Sequence, residues 1–185
     1  MSPRVVAGAH KGRRLAAPRG AATRPTADRV REALFNLLGP VEGLRAIDLY
    51  AGSGALGIEA RSRGAAEVTL VDSDATAVRV IRENLDRIRE EEAKIVRSDA
   101  SSFLRAAARR GEHWDLAFCD PPYRLAPRLG AELGRLLPAV LEPQARVACE
   151  SSSRQPLVLA LPLQKERRYG DTLISIYLAH QQEDR

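Results

Sequence analysis

The chain has 185 residues, 44% of them hydrophobic and 29% charged, a globular balance that suits one buried core rather than two. No stretch approaches about eighteen uninterrupted apolar residues. The basic start Met1-Ser2-Pro3-Arg4 leads into no apolar run, so the expectations are no membrane association and a cytoplasmic location.

The net charge of +5 conceals an asymmetry. Residues 1–31 hold eight basic side chains, Arg4, Lys11, Arg13, Arg14, Arg19, Arg24, Arg29 and Arg31, against the single acid Asp28. Of the 29 basic residues 26 are arginine, whose planar fork grips phosphate through two hydrogen bonds. A polyanionic partner suits that pattern, a merely solvated face being the alternative. Cys119 and Cys149 lie in apolar runs without metal-site spacing, so both are expected as buried free thiols and no metal is expected.

In chain order, residues 4–18 read as two short extended pieces around a basic, glycine-containing turn, a β-hairpin. Thr23-Arg24-Pro25-Thr26 then leads into a helix with Val30, Ala33, Leu34, Leu37 and Leu38 on one apolar face, stopped by Gly39-Pro40. Residues 1–22 are thus taken as a basic arm and 23–185 as the main domain. From residue 44 the periods alternate. Strands are expected at Leu44–Tyr50, Glu67–Asp72, Lys94–Arg97, Trp114–Asp120 and Ala145–Glu150, with helices between them at Leu56–Arg63, around Val78–Ile88, at Ser101–Arg110 and across Pro127–Leu137. Such alternation implies an α/β fold with a parallel sheet covered on both faces. The tail lacks a helix, so Leu157–Leu163 and Leu173–Leu178 are expected as an antiparallel edge pair joined through Lys165–Asp171.

The segment Asp48-Leu49-Tyr50-Ala51-Gly52-Ser53-Gly54-Ala55-Leu56-Gly57 lies between the first sheet strand and a helix. Gly52, Gly54 and Gly57 fit the G-x-G-x-x-G fingerprint, and Asp72 ends the next strand twenty residues after Gly52. A nucleoside cofactor is implied. Tyr50, Ala51, Gly52, Ser53 and Gly54 would border it, with Asp72 and Ser73 at its ribose. Asp48 decides which cofactor. A dinucleotide would aim its pyrophosphate at this helix terminus, where a carboxylate repels it. S-adenosylmethionine offers a sulfonium and an ammonium instead, which a carboxylate attracts; Asp48 as a loop cap is the alternative. Asp99, followed by Ala100, ends the third strand and is placed either at the adenine amino group or as the N-cap of the next helix.

Asp120-Pro121-Pro122-Tyr123 follows the fourth strand, at the sheet edge that carries the glycine loop. The prolines hold the backbone extended, presenting the Asp120 carboxylate and main-chain carbonyls as fixed acceptors. An exocyclic amino group, a pure donor, needs such acceptors to orient its lone pair and to take up positive charge as a bond forms. Tyr123 can stack on a base. The alternative is a rigid strand exit. Cys119 points to the opposite face of the pleat from Asp120 and has no adjoining cation, which argues against a thiolate nucleophile.

With these elements placed, the chain resembles the bacterial small-subunit (16S) ribosomal RNA guanine-N2 methyltransferases over nearly its whole length. Gly12-Arg13-Arg14-Leu15, Thr23-Arg24-Pro25-Thr26, Asp28-Arg29-Val30-Arg31-Glu32-Ala33-Leu34-Phe35-Asn36 and Ser62-Arg63-Gly64-Ala65 carry the resemblance beyond the loop and the Asp-Pro-Pro-Tyr step. It implies a Rossmann-like seven-stranded methyltransferase sheet, mostly parallel, with a small N-terminal β-hairpin extension. It also implies S-adenosylmethionine as donor, a guanine in ribosomal RNA or a small-subunit assembly particle as substrate, and a segment from Thr26 to Asn36 over the cofactor's methionine end. Asp72 stands where the family often has glutamate. Arg4, Lys11, Arg13, Arg14 and Arg24 are the expected RNA contacts, and a monomer is expected. The rival readings are a methyltransferase of DNA adenine or cytosine amino groups, and a non-catalytic ribosome-assembly protein; a nicotinamide oxidoreductase ranks last because of Asp48.

Overall fold

The computed structural model describes residues 3–17, 28–122 and 124–180. Its strands are β1 (Arg45–Asp48), β2 (Glu67–Asp72), β3 (Lys94–Arg97), β4 (Trp114–Cys119), β5 (Leu141–Ser152), β6 (Leu163–Tyr169) and β7 (Thr172–Leu178). The helices are α1 (Asp28–Leu38), α2 (Ala55–Ser62), α3 (Ala75–Ile88), α4 (Ala100–Arg110) and α5 (Ala126–Leu136), the last continuing into a 3-10 turn. The strands form one seven-stranded sheet in the order β3-β2-β1-β4-β5-β7-β6. The first five are parallel, and β7 runs antiparallel to both β5 and β6. The fold class read from the alternation is therefore the observed one.

Strand alternation divides the core between the two faces. Ala46, Leu70, Leu116, Phe118 and Ile176 face α1, α2 and α3, whereas Ile47, Val71, Ala117, Cys119 and Val147 face α4 and α5. From β1 the chain winds outward through β2 and β3, then returns to β4 on the other side of β1. The carboxyl ends of β1 and β4 thus flank the switch point where open parallel sheets bind ligands.

The described part of the arm forms a minimal hairpin: Arg4 bridges Arg14, the Val5 N–H donates to the Arg13 carbonyl at 2.9 Å, and the Leu15 N–H donates to the Pro3 carbonyl at 2.8 Å. An isolated hairpin is marginal in water. This one is anchored by Val5 and Leu15, both buried in the core shared with α1–α3 and worth about 1.5–3 kcal/mol each. A fully buried Glu59 on α2 adds polar anchorage, accepting the Val6 N–H at 2.7 Å and the Ala7 N–H at 3.0 Å.

Two expectations are corrected. Leu157–Leu163 is not a strand; β6 is instead the charged run Leu163–Tyr169, which had been read as a connector. Every residue of β6 is exposed, because this is the sheet edge, where charged side chains are tolerated and discourage pairing with another chain. Leu157 and Leu159 are nonetheless buried, since their segment lies on α5 so closely that a Cβ on Gly130 would come within 2.1 Å of the Val158 carbonyl oxygen. Second, Arg31 is not part of the exposed basic surface. It shares the buried face of α1 with Leu34, Phe35 and Leu38.

Candidate active site at the sheet switch point

Asp48 ends β1 and lies opposite Phe118 of β4, whose carbonyl accepts the Leu49 N–H at 3.1 Å. Asp120 follows two residues later, so the glycine loop and the Asp-Pro-Pro step leave adjacent strands at the same edge. Asp120 is partly buried and Pro121 buried, while the Pro122 carbonyl accepts the Leu125 N–H at 2.8 Å and closes a turn into α5. Tyr123 lies outside the described residues, as do Thr26 and Arg24.

Gly52 and Gly54 both take positive φ, 55° and 80°, which lets the loop turn onto α2 without strain. The Gly54 N–H donates to the Ala51 carbonyl at 2.6 Å, and the Ala51 N–H donates to the Val71 carbonyl at 3.0 Å. Gly57 serves packing instead: a Cβ there would sit 2.4 Å from a Leu70 methyl, so a larger residue would have to displace the buried Leu70 side chain between α2 and β2. Asp72 stabilises the loop by accepting the Gly52 N–H at 2.8 Å and the Asp74 N–H at 2.9 Å. Ser73 is exposed beside it.

Asp48 is 1% exposed. Its Oδ2 accepts the Gly57 N–H at 3.1 Å, in the first turn of α2. Among the described residues its Oδ1, equally buried, has no hydrogen-bond partner. Burial pushes its pKa up to about 7; the Gly57 N–H opposes this, Asp72 adds to it by repulsion, and the Tyr50 N–H pulls it down weakly without closing a hydrogen bond. A buried carboxylate oxygen without a donor suits a ligand that brings a cation or N–H to it. Tyr50 is partly buried above the same strand end, its hydroxyl pKa raised by burial and then by Cys119, Asp99, Glu132 and Cys149.

Asp99 caps α4, its Oδ1 accepting the Ser102 N–H at 3.0 Å, with Ala100 buried as the first helical residue. The N-cap alternative is thus realised for one carboxylate oxygen. Cys119 and Cys149 are free, buried and paired in register across β4 and β5; burial, then a hydrogen bond to Cys119, pushes the Cys149 thiol well up. That environment suits an inert thiol.

The arm residues divide. Lys11, Arg13 and Arg14 are exposed, whereas Arg4 pairs with Asp28 through its Nε at 2.9 Å, although its side chain stays largely in solvent. Two residues went unnoticed in the sequence. Glu59 holds the arm and the buried Arg31 together. Asn84 of α3, also fully buried, accepts the Ala16 N–H at 2.7 Å while its amide donates to the Ala16 carbonyl at 3.0 Å and the Ser53 carbonyl at 2.8 Å. An asparagine within the apolar series Val78, Ile81, Leu85 and Ile88 was the available signal, since a buried amide must find partners.

Among curated proteins, the chain is 43% identical over 122 residues to ribosomal RNA small subunit methyltransferase D of Escherichia coli, an alignment covering 65% of this chain and 60% of that one. To the Haemophilus influenzae protein of the same name it is 33% identical over 181 residues, covering 94% of this chain and 92% of the relative. Among solved structures, yhhF of Escherichia coli superposes with a TM-score of 0.81 at 35% identity, covering 98% of this chain and all of that one. The family model described as Conserved hypothetical protein 95 matches residues 3–178. Matched almost from end to end, the chain belongs to that family.

Proposed function

We propose that this chain is an S-adenosylmethionine-dependent methyltransferase that modifies the exocyclic N2 amino group of a guanine in small-subunit ribosomal RNA. The observation that carries the reading is the meeting of two chemistries at one switch point: a carboxylate-backed glycine loop after β1 and the Asp120-Pro121-Pro122 step after β4. The names of the Escherichia coli and Haemophilus influenzae relatives support ribosomal RNA as the substrate class. The resemblance of the motif-bearing segments supports guanine N2.

When bound, S-adenosylmethionine supplies a methyl group made electrophilic by its sulfonium. The residues present fit that cofactor: the unpartnered Asp48 Oδ1 suits its cationic amino-acid end, and the bare backbone from Tyr50 to Gly54 borders the nucleoside. Asp72 and Ser73 stand at the ribose and Asp99 with Ala100 at the adenine, while Thr26 belongs at the methionine end.

Exposed Lys11, Arg13 and Arg14, with Arg4 and Arg24, engage RNA phosphates without reading sequence, and the target guanine leaves its stack to reach the pocket. Asp120 and the Pro121 carbonyl accept the two N2 hydrogens, aim the nitrogen lone pair and stabilise the positive charge that develops there. Tyr123 stacks on the base. Asp120 or water accepts the proton that N2 releases. Asp120→Ala is expected to abolish turnover while leaving S-adenosylhomocysteine affinity near wild type, measured by methyl transfer and calorimetry. Retained turnover would refute the assignment.

A further inference from the structure

Helix α1 and the edge strand β6 enclose a groove of about 430 Å³. The helix contributes Arg29, Glu32, Ala33 and Asn36, one stripe at three- and four-residue steps, and the strand contributes Arg167 and Tyr169. The Tyr169 end of the groove lies at the active-site edge, because Tyr169 pairs with Thr172 and Thr172 pairs with Ser152, the carboxyl end of β5. Asp120 follows β4, the strand next to β5, so β6 lies three strand spacings away, about 14 Å at roughly 4.8 Å each.

The lining has the chemistry of a nucleotide site. Arg29 and Arg167 are exposed at its two walls; among the described residues Arg29 has no ion pair, and Arg167 donates only to a backbone carbonyl, that of Glu166 at 2.9 Å. Lys165, on the same side of the strand, donates to the Leu37 carbonyl at 3.1 Å and adds positive charge. Glu32 is the single acid in the lining, and with Asn36 it supplies acceptors and donors suited to a base edge. Tyr169 is 40% exposed, one of eight aromatic residues in the chain, and presents its ring beside the arginines. Ala33, Leu37 and the Tyr169 ring add apolar surface suited to a base face, and the two arginines add charge suited to a phosphate, a combination that matches a nucleic acid.

Resting on the RNA methyltransferase reading, we infer that this groove binds an unpaired nucleotide flanking the target guanine, its phosphate held by Arg29 and Arg167 and its base stacked on Tyr169. The substrate strand would then run along the carboxyl edge of the sheet, from the β4 exit to the β6–β7 turn. The extruded guanine would be held in place from a second point besides the N-terminal arm.

The test uses the full chain and a fluorescently labelled, mixed-sequence single-stranded RNA oligonucleotide, with affinity followed by anisotropy across a salt series. Arg167→Gln is expected to lower the slope of log affinity against log salt by about 0.7, the loss of one single-strand phosphate contact. Tyr169→Ala is expected to weaken binding about 5- to 150-fold, the range for one lost base stack. Both positions are exposed and remote from the glycine loop, so S-adenosylhomocysteine affinity and the circular dichroism spectrum should match wild type. Unchanged RNA affinity and slope in both variants, with wild type binding and methylating RNA, would overturn the groove assignment alone. Failure of wild type to bind RNA would overturn it together with the RNA reading on which it rests.

Discussion

The Asn84 side-chain amide donates to the Ser53 carbonyl at 2.8 Å across 31 positions of sequence, so the middle of α3 holds the glycine loop directly. The same amide group also pairs with both backbone groups of Ala16. One buried side chain therefore joins the basic arm to the glycine loop. Asn84→Ala leaves buried backbone groups unsatisfied and is expected to cost roughly 1–3 kcal/mol per group that water cannot reach. Denaturant titration should show the loss, and S-adenosylhomocysteine binding should weaken in the protein that remains folded. Asn84→Asp keeps the acceptor for Ala16 but turns a carboxylate toward two carbonyls, so it should not rescue either readout.

Arg31 and Glu59 form an ion pair in which neither side chain reaches solvent, Nε to Oε2 being 3.4 Å. Arg31 also donates to the Arg4 carbonyl and to Asp28. Glu59 also pairs with Arg63 at 2.8 Å, so removing Arg31 leaves that carboxylate partnered and loses a buried charge-assisted contact, worth about 1.5–3 kcal/mol. Arg31→Ala is expected to lower stability by that amount and to loosen the hairpin, seen as new protease cleavage within residues 3–17. An intact cleavage pattern would mean that Val5 and Leu15 suffice to dock the arm.

Asp48 gives the cofactor site a pH dependence of definite sign. Its folded-state pKa is raised to about 7 by burial, so the ligand-free fold favours the protonated form and loses that contribution to stability as pH rises through about 7. The α-ammonium that S-adenosylhomocysteine shares with S-adenosylmethionine favours the anion. S-adenosylhomocysteine affinity should therefore rise between about pH 5 and 7, by at most roughly tenfold per pH unit, and level off above. Calorimetry on wild type and Asp48→Asn checks this: the variant should bind weakly with the pH dependence removed.

The exposed arm arginines have a distinct signature. Arg13→Ala combined with Arg14→Ala is expected to weaken RNA binding and to flatten its salt dependence by about 0.7 for each lost single-strand phosphate contact. An unchanged slope would remove these residues from the RNA interface.

Much of this was legible in local pattern. The alternation of periods from Leu44 to Glu150 predicted five parallel strands, and the glycine spacing with Asp72 marked a nucleoside-binding loop after the first of them. Long-range burial was not legible. Leu157–Leu163 is apolar because it covers α5, and Leu163–Tyr169 is charged because it forms an edge; composition reverses the assignment in both places. Arg31 carries the same formal charge as exposed Arg13, and only the fold brings Glu59 to it. Asp99 belongs to a different class, since a strand-ending Asp before a helix suits a cap and a ligand contact alike.

The central claim is amino-group methylation of guanine, and nucleoside mass analysis tests it most directly. Small-subunit ribosomal RNA lacking the modification would be incubated with the protein and S-adenosylmethionine, digested to nucleosides and separated by chromatography coupled to mass spectrometry. N2-methylguanosine should appear with wild type and be absent with Asp120→Ala. Methyl groups on adenine, cytosine or a ring nitrogen of guanine, or no transfer to RNA by a protein that binds S-adenosylhomocysteine, would contradict it.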